Sequence, residues 1–311
     1  MRRFLGRVLL FWLVSAGMLH AEPSAPAPQA AVRAYLISEK GEFQEVWMIA
    51  AGDGIYHCRE AEKSAVVKDV PAAGVKSVYF FQPAALKDAM ELYRGRKYKE
   101  ARESFAAVKA AYQAIHGVPE NPSVIAGFYE LECLRQMDDP EALAKALQAY
   151  RSDGLIRDCQ LRQMEIHVFW DAMRSKNWEK LDAMAIERAG EELPGYQRAQ
   201  ISYCHGVALE NLGKPIEALD AYNTAMTADG GASETVARQA ALNALRIYKA
   251  DPDVQTAIRR WGSEDESRDV PGRQRLLEAA ALARLFEETL GAGQPLPGPY
   301  KEFLKYGAGS P

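Results

Sequence analysis

Gly206 to Gly230, GVALENLGKPIEALDAYNTAMTADG, constrains the fold more tightly than any other stretch of this chain. Gly206, Leu209, Ala218, Tyr222 and Ala225 follow one another at spacings of three, nine, four and three. On two antiparallel helices those positions form a single seam. Gly206 and Ala218 are small enough for the backbones to approach, while Leu209 and Tyr222 fill the space beside them. Gly213-Lys214-Pro215 supplies the tight turn between the helices.

The same alternation predicts helix from about residue 84 to residue 290. Asn121-Pro122, Asp139-Pro140 and Asp251-Pro252 mark helix starts, each an N-cap residue followed by a proline whose missing N–H is harmless in the first turn. Ser152-Asp153-Gly154 and Asp229-Gly230-Gly231 mark stops. Inter-helix turns fall near Tyr98, Pro140, Trp178, Pro215 and Pro252, separated by 42, 38, 37 and 37 residues. That recurrence is the mark of an array of stacked hairpins.

The Gly206–Gly230 pattern resembles the tetratricopeptide repeat, as does a first unit with Ala89, Leu92, Tyr98, Ala101 and Phe105 around the turn Arg96-Lys97-Tyr98-Lys99-Glu100-Ala101. The third unit departs from the pattern, with Phe169 and Leu181 where small residues belong, and the spacings exceed the family's usual 34 residues. An α-solenoid of another type stays open. The expected fold is mainly α: a TPR-like α-solenoid of about five helical hairpins, preceded by a small β-sheet or SH3-like domain.

Residues 32–82 carry strand-like runs: Val32–Ile37, Glu45–Ile49, Ile55–Cys58, Ala65–Val67 and Val75–Phe80. Gly52-Asp53-Gly54 joins the second and third, and Asp-Gly supplies the positive backbone dihedrals of a tight hairpin. About fifty residues bury little alone, so this unit is expected to dock on the first helices.

Residues 1–21 read as a secretory signal peptide, with Arg2, Arg3 and Arg7 before an apolar run from Val8 to Leu19 and cleavage expected after Ala21. Residues 22–31 are a Pro/Ala-rich linker, and residues 291–311 a C-terminal cap or tail. The chain has 38 basic and 42 acidic residues, a net charge of −4; removal of three arginines leaves 35 against 42, or −7. An acidic chain without a basic stripe is a poor partner for nucleic acid or anionic membrane surfaces, and no transmembrane segment is expected after cleavage. Export into an oxidising compartment would permit pairing of Cys58, Cys133, Cys159 and Cys204. Cys133 and Cys204, however, sit on apolar helix faces, which favours buried free thiols.

Catalytic patterns are sparse. His57, His116, His167 and His205 are not in metal-ligand spacing, Glu165 and His167 point to different helix faces, and His205 falls on the seam of the fourth hairpin. No catalytic residue, cofactor or metal is expected. The repeat resemblance implies that function lies on the inner helices, whose side chains line a groove for a protein or peptide partner. Carried over, it assigns to that groove Phe128 and Arg135 in the second unit, Ile166, Trp170 and Arg174 in the third, and Gln200, Tyr203, Glu210 and Asn211 in the fourth. For Trp170 and Phe128 a place in the core is equally consistent with their spacing. One groove type of this family clamps a terminal carboxylate with lysines and asparagines on consecutive inner helices; only Asn211 could serve here, so binding of that kind is not expected. The expected function is a non-catalytic exported scaffold in the periplasm or outer envelope of a bacterium. The alternative is a carbohydrate or peptidoglycan module in the β domain, with Trp47, Tyr56 and Tyr79 either stacking on sugars or forming the domain's own core.

Overall fold

The computed structural model describes residues 30–229, 231, 234–264, 266, 271–291 and 293–307. Residues 1–29, which include the expected signal peptide and most of the Pro/Ala-rich stretch, lie outside the described residues. The chain is mainly helical, with a small antiparallel sheet at its N-terminal end.

Five strands, β1 (Val32–Ser38), β2 (Phe43–Gly52), β3 (Ile55–Arg59), β4 (Lys68–Pro71) and β5 (Val75–Phe80), form one open sheet in the order β4-β3-β2-β1-β5. Every neighbouring pair is antiparallel. Because β4 and β5 are opposite edges, the sheet does not close into a barrel. Asp53 (φ 50°) and Gly54 (φ 75°) make the β2–β3 turn, the pair of positive dihedrals that matches strand twist. The fourth strand lies at Lys68–Pro71 rather than at Ala65–Val67. Pairing of Cys58 with Lys68 and of Ile55 with Pro71 sets its place, and Val66 and Val67 are left exposed beside it.

Alternation along β1 and β2 sends Val32, Ala34, Leu36, Val46 and Met48 to one face. There they meet Leu86, Ala89, Ala101, Phe105 and Val108 from the first two helices, so the sheet and those helices share one core.

Eleven α-helices follow among the described residues: α1 (Ala84–Arg94), α2 (Tyr98–Ala111), α3 (Pro122–Gln136), α4 (Pro140–Ala149), α5 (Asp158–Arg174), α6 (Trp178–Arg188), α7 (Gly195–Asn211), α8 (Pro215–Ala228), α9 (Glu234–Ala250), α10 (Pro252–Arg260) and α11 (Pro271–Leu285). Asn121, Asp139, Asn177 and Asp251 cap α3, α4, α6 and α10 by accepting a backbone N–H with their side chains. Each odd-numbered helix packs on the even-numbered helix after it, and α5 also touches α7, α7 touches α9 and α9 touches α11.

The first four hairpins close with one recurring turn. Arg96, Asp138, Lys176 and Gly213 each take a positive φ, between 55° and 76°. In each, the next residue's N–H bonds back to the carbonyl five positions earlier: Lys97 to Leu92, Asp139 to Leu134, Asn177 to Ala172 and Lys214 to Leu209. This bond satisfies a carbonyl at the helix end that has no intrahelical partner. At the far end, Phe303 of a 3₁₀ helix, Gly298–Lys305, is fully buried in the core that runs through the later helices.

Candidate functional site: the inner helices and their buried polar core

Helices α3, α5 and α7 have neighbours on several sides, so polar as well as apolar side chains are buried along them. Buried polar groups need partners, and here they find each other. Gln163 Nε2 donates to Gln200 Oε1 at 3.0 Å and Gln200 Nε2 returns a bond to Gln163 Oε1 at 3.1 Å. Trp170 Nε1 donates to the same Gln200 oxygen at 3.0 Å. The two amides thus tie α5 to α7 across 37 residues of sequence.

One layer away, Arg135 Nη2 donates to Glu132 Oε2 at 2.7 Å, and Arg135 Nε lies 3.2 Å from both carboxylate oxygens. Both residues are over nine-tenths buried. Burial pushes the Glu132 carboxyl up, but Arg135 and His167 more than offset it and the net shift is downward. Arg135 is desolvated in turn, yet Glu132 holds its pKa above the ordinary value. His167 Nε2 lies 3.4 Å from Glu132 Oε1, and neither ring nitrogen has a hydrogen-bond partner among the described residues. Burial lowers the imidazole pKa to about 4, against the opposing pull of Glu132. The ring is therefore neutral at neutral pH.

Of the residues the repeat resemblance assigns to a groove, Phe128, Arg135, Ile166, Trp170, Gln200 and Tyr203 are buried. They face neighbouring helices, not open space. Arg174 and Glu210 are partly exposed and Asn211 is exposed, all three at the C-terminal ends of α5 and α7. Arg174 pairs with Asp171 and Glu141, Glu210 accepts from Tyr222 Oη and Arg246, and Asn211 donates to the Val207 carbonyl of its own helix. Long-range contacts also reach the first two turns: Arg96 of the first turn pairs with Glu234 at the start of α9, and Gln239 of α9 donates to Asp138 of the second turn at 2.9 Å. These contacts bring α9 to the first and second turns. No local sequence pattern encodes these contacts, because their partners are 138 and 101 residues apart.

Comparison with known proteins returned no matching family, curated protein or solved structure. The site must be read from its own geometry.

Two other regions hold polar or aromatic groups at the surface. A cleft of about 540 Å³ is lined by α6, α7 and α8, and in it His205 Nε2 lies 2.8 Å from Asp182 Oδ1, with Ile201, Leu209 and the exposed Ile186 nearby. His205 is thus a partly buried, hydrogen-bonded group on a cleft wall. On the outer face of the sheet, Tyr35, Phe43, Tyr79 and Phe81 meet edge to face at interplanar angles of 70–86°, with the Arg33 guanidinium 4.2 Å above the Phe81 ring centre. Tyr79 is 57% exposed, whereas Tyr56 packs on the opposite face against the helices. These rings support one another and do not form a coplanar platform for sugar stacking.

Among the described residues no group of three or more His, Cys, Asp or Glu side chains is placed to hold a metal ion, and no helix is long and apolar enough to cross a membrane. Cys58, Cys133 and Cys204 are buried and unpaired, and Cys159 is exposed. Burial pushes the Cys58 thiol up to about 11 and the Cys133 thiol to about 12.

Proposed function

We propose that this chain is a non-catalytic, exported scaffold whose TPR-like α-solenoid binds protein or peptide partners in the assembly or maintenance of a bacterial envelope complex. The observation that carries the reading is the hairpin turn repeated at Arg96, Asp138, Lys176 and Gly213, with successive odd-numbered helices in contact. Repetition of one supersecondary unit makes a long continuous surface, and such surfaces serve recognition. The export component is supported by the arginines and apolar run at residues 2–19.

Partner contact falls first on the rim where Arg174, Glu210 and Asn211 reach the surface. Gln200, Trp170 and Tyr203 lie behind it as a rigid backing. Arginine and amide groups on such backing resemble the composition of interface centres. Crosslinked capture from intact bacterial envelope, comparing the wild-type chain with an Arg174→Glu, Asn211→Arg double variant, tests the proposal. Discrete proteins captured by the wild type and lost from a folded variant support the rim. Identical capture by both removes it as the working surface.

A further inference from the structure

Met164, His167, Val168 and Asp171 follow one another along a single stripe of α5. With Leu147 and Gln148 of α4 they line a cleft of about 260 Å³ between the two helices. Its walls are mainly apolar, and Gln148, Val168 and Asp171 are exposed at its mouth. His167 is fully buried, the one buried polar side chain of the lining.

That side chain stands apart from its polar neighbours. Gln163 is bonded to Gln200 and Glu132 to Arg135, whereas neither nitrogen of the His167 ring has a hydrogen-bond partner among the described residues. Nε2 lies 3.4 Å from Glu132 Oε1. An ionised carboxylate can only accept, so it favours the ring proton on the nitrogen that faces it and leaves Nδ1 with a bare lone pair. A buried acceptor without a donor costs free energy, and a ligand that brings one recovers it.

Charge and size narrow the ligand further. Glu132 is held by Arg135, and Asp171 at the mouth already accepts from Arg174 Nε and Nη2 at 3.0 and 2.9 Å. No charge is left over for an ion, so a neutral ligand fits best. A cavity of about 150 Å³ accommodates benzene, and this larger cleft takes one ring with a substituent. The Met164 thioether favours an aromatic neighbour.

From the unpartnered imidazole lining an apolar cleft we infer that α4 and α5 form a binding site for a neutral phenolic ring, whose O–H donates to His167 Nδ1. The ring belongs to a free phenol or to a tyrosine side chain of a partner protein, which offer the cleft the same chemistry. Burial holds the imidazole pKa near 4, so the acceptor persists at neutral pH. A small phenol needs no partner protein, so this inference and the rim reading fail separately.

The test is titration of the full chain with p-cresol and with toluene, which has nearly the same shape but no hydroxyl. NMR signals of the His167 ring and of the Leu147 and Val168 methyl groups report binding. We expect p-cresol to saturate these signals in the millimolar range. Toluene should bind about tenfold more weakly or worse, the factor that one net hydrogen bond carries. His167→Leu is expected to abolish the preference for p-cresol. Should that variant not fold, Leu147→Trp fills the cleft from the α4 side and is expected to abolish binding of both probes. N-acetyltyrosinamide binding as well as p-cresol assigns the ring to a protein side chain, and p-cresol binding alone assigns it to a free phenol. The proposal is overturned if p-cresol does not saturate, if both probes bind equally, or if the shifts fall on other residues. A preference that survives in folded His167→Leu, or binding that survives in Leu147→Trp, overturns it as well.

Discussion

The ring of Tyr222 lies directly on the bare Cα of Gly206, so that a Cβ at that position would fall 2.6 Å from Tyr222 Cε1 and 2.7 Å from Cδ1. Both residues are fully buried between α7 and α8. The contact sets how closely the two helices pack.

Gly206→Ala is expected to destabilise the protein by about 1–3 kcal/mol, the usual cost of forcing an extra carbon into a packed core. Helix propensity alone would favour alanine by about 1 kcal/mol, so the sign of the change decides whether close packing dominates. Urea denaturation of the variant against wild type reads it. A stabilised Gly206→Ala would show that the helices separate at little cost.

The buried pair Glu132–Arg135 makes the second prediction. Arg135→Met leaves a carboxylate in a dry site and is expected to cost about 3–5 kcal/mol. The Glu132→Leu, Arg135→Met double variant is expected to recover most of that loss, because both desolvation penalties disappear together. The double-mutant cycle, measured by chemical denaturation, distinguishes a costly unpaired charge from simple loss of packing volume.

His167 gives stability a defined pH dependence. Its folded pKa of about 4 lies below the ordinary histidine value of about 6.5, so the unfolded chain binds the proton more readily. Stability is full above about pH 6.5 and falls as pH drops toward 4, by roughly 3 kcal/mol from this group. Glu132 and Arg135 face the ring. The Glu132 carboxyl, held below its ordinary range, adds its own loss at lower pH. His167→Gln is expected to flatten the stability difference between pH 7.5 and pH 5. An unchanged difference would place the titration elsewhere.

The contacts that bring α9 to the first two turns are made by partly exposed groups, with Arg96 at 59% side-chain exposure in its pair with Glu234. Exposed pairs contribute about 0–1 kcal/mol, so Arg96→Ala combined with Asp138→Ala is expected to leave global stability nearly unchanged. If these contacts keep the inner face covered, it should increase acrylamide quenching of Trp170, the buried tryptophan beside Tyr203. A Trp170-only version of the chain isolates the signal. Unaltered quenching would mean that packing, not these contacts, keeps the face covered.

Helix spacing and turn chemistry were legible from local residues. The second helices of the five hairpins begin at Tyr98, Pro140, Trp178, Pro215 and Pro252, the positions that cap residues, prolines and the 42, 38, 37 and 37 spacing mark. The β2–β3 hairpin was legible for the same reason, since Asp53-Gly54 has one easy backbone conformation. Val66 and Val67 misled because β-propensity does not report whether a partner strand lies alongside.

What the sequence determined by itself is therefore the set of elements and their order: a small antiparallel sheet, then a long run of helical hairpins whose turns recur. These depend on interactions within about five residues, such as caps, turn dihedrals and side-chain periodicity. The tertiary structure decided which faces are covered. Phe128, Trp170 and Tyr203 occupy inner-helix positions, but they are buried because residues of other elements pack on them, Leu155 and Tyr150 beside Phe128 and Tyr203 against Trp170. Among the described residues β5 has β1 as its one neighbouring strand, because it was placed at an edge of the sheet. Exposure is set by residues distant in the chain, and neither periodicity nor local chemistry specifies them.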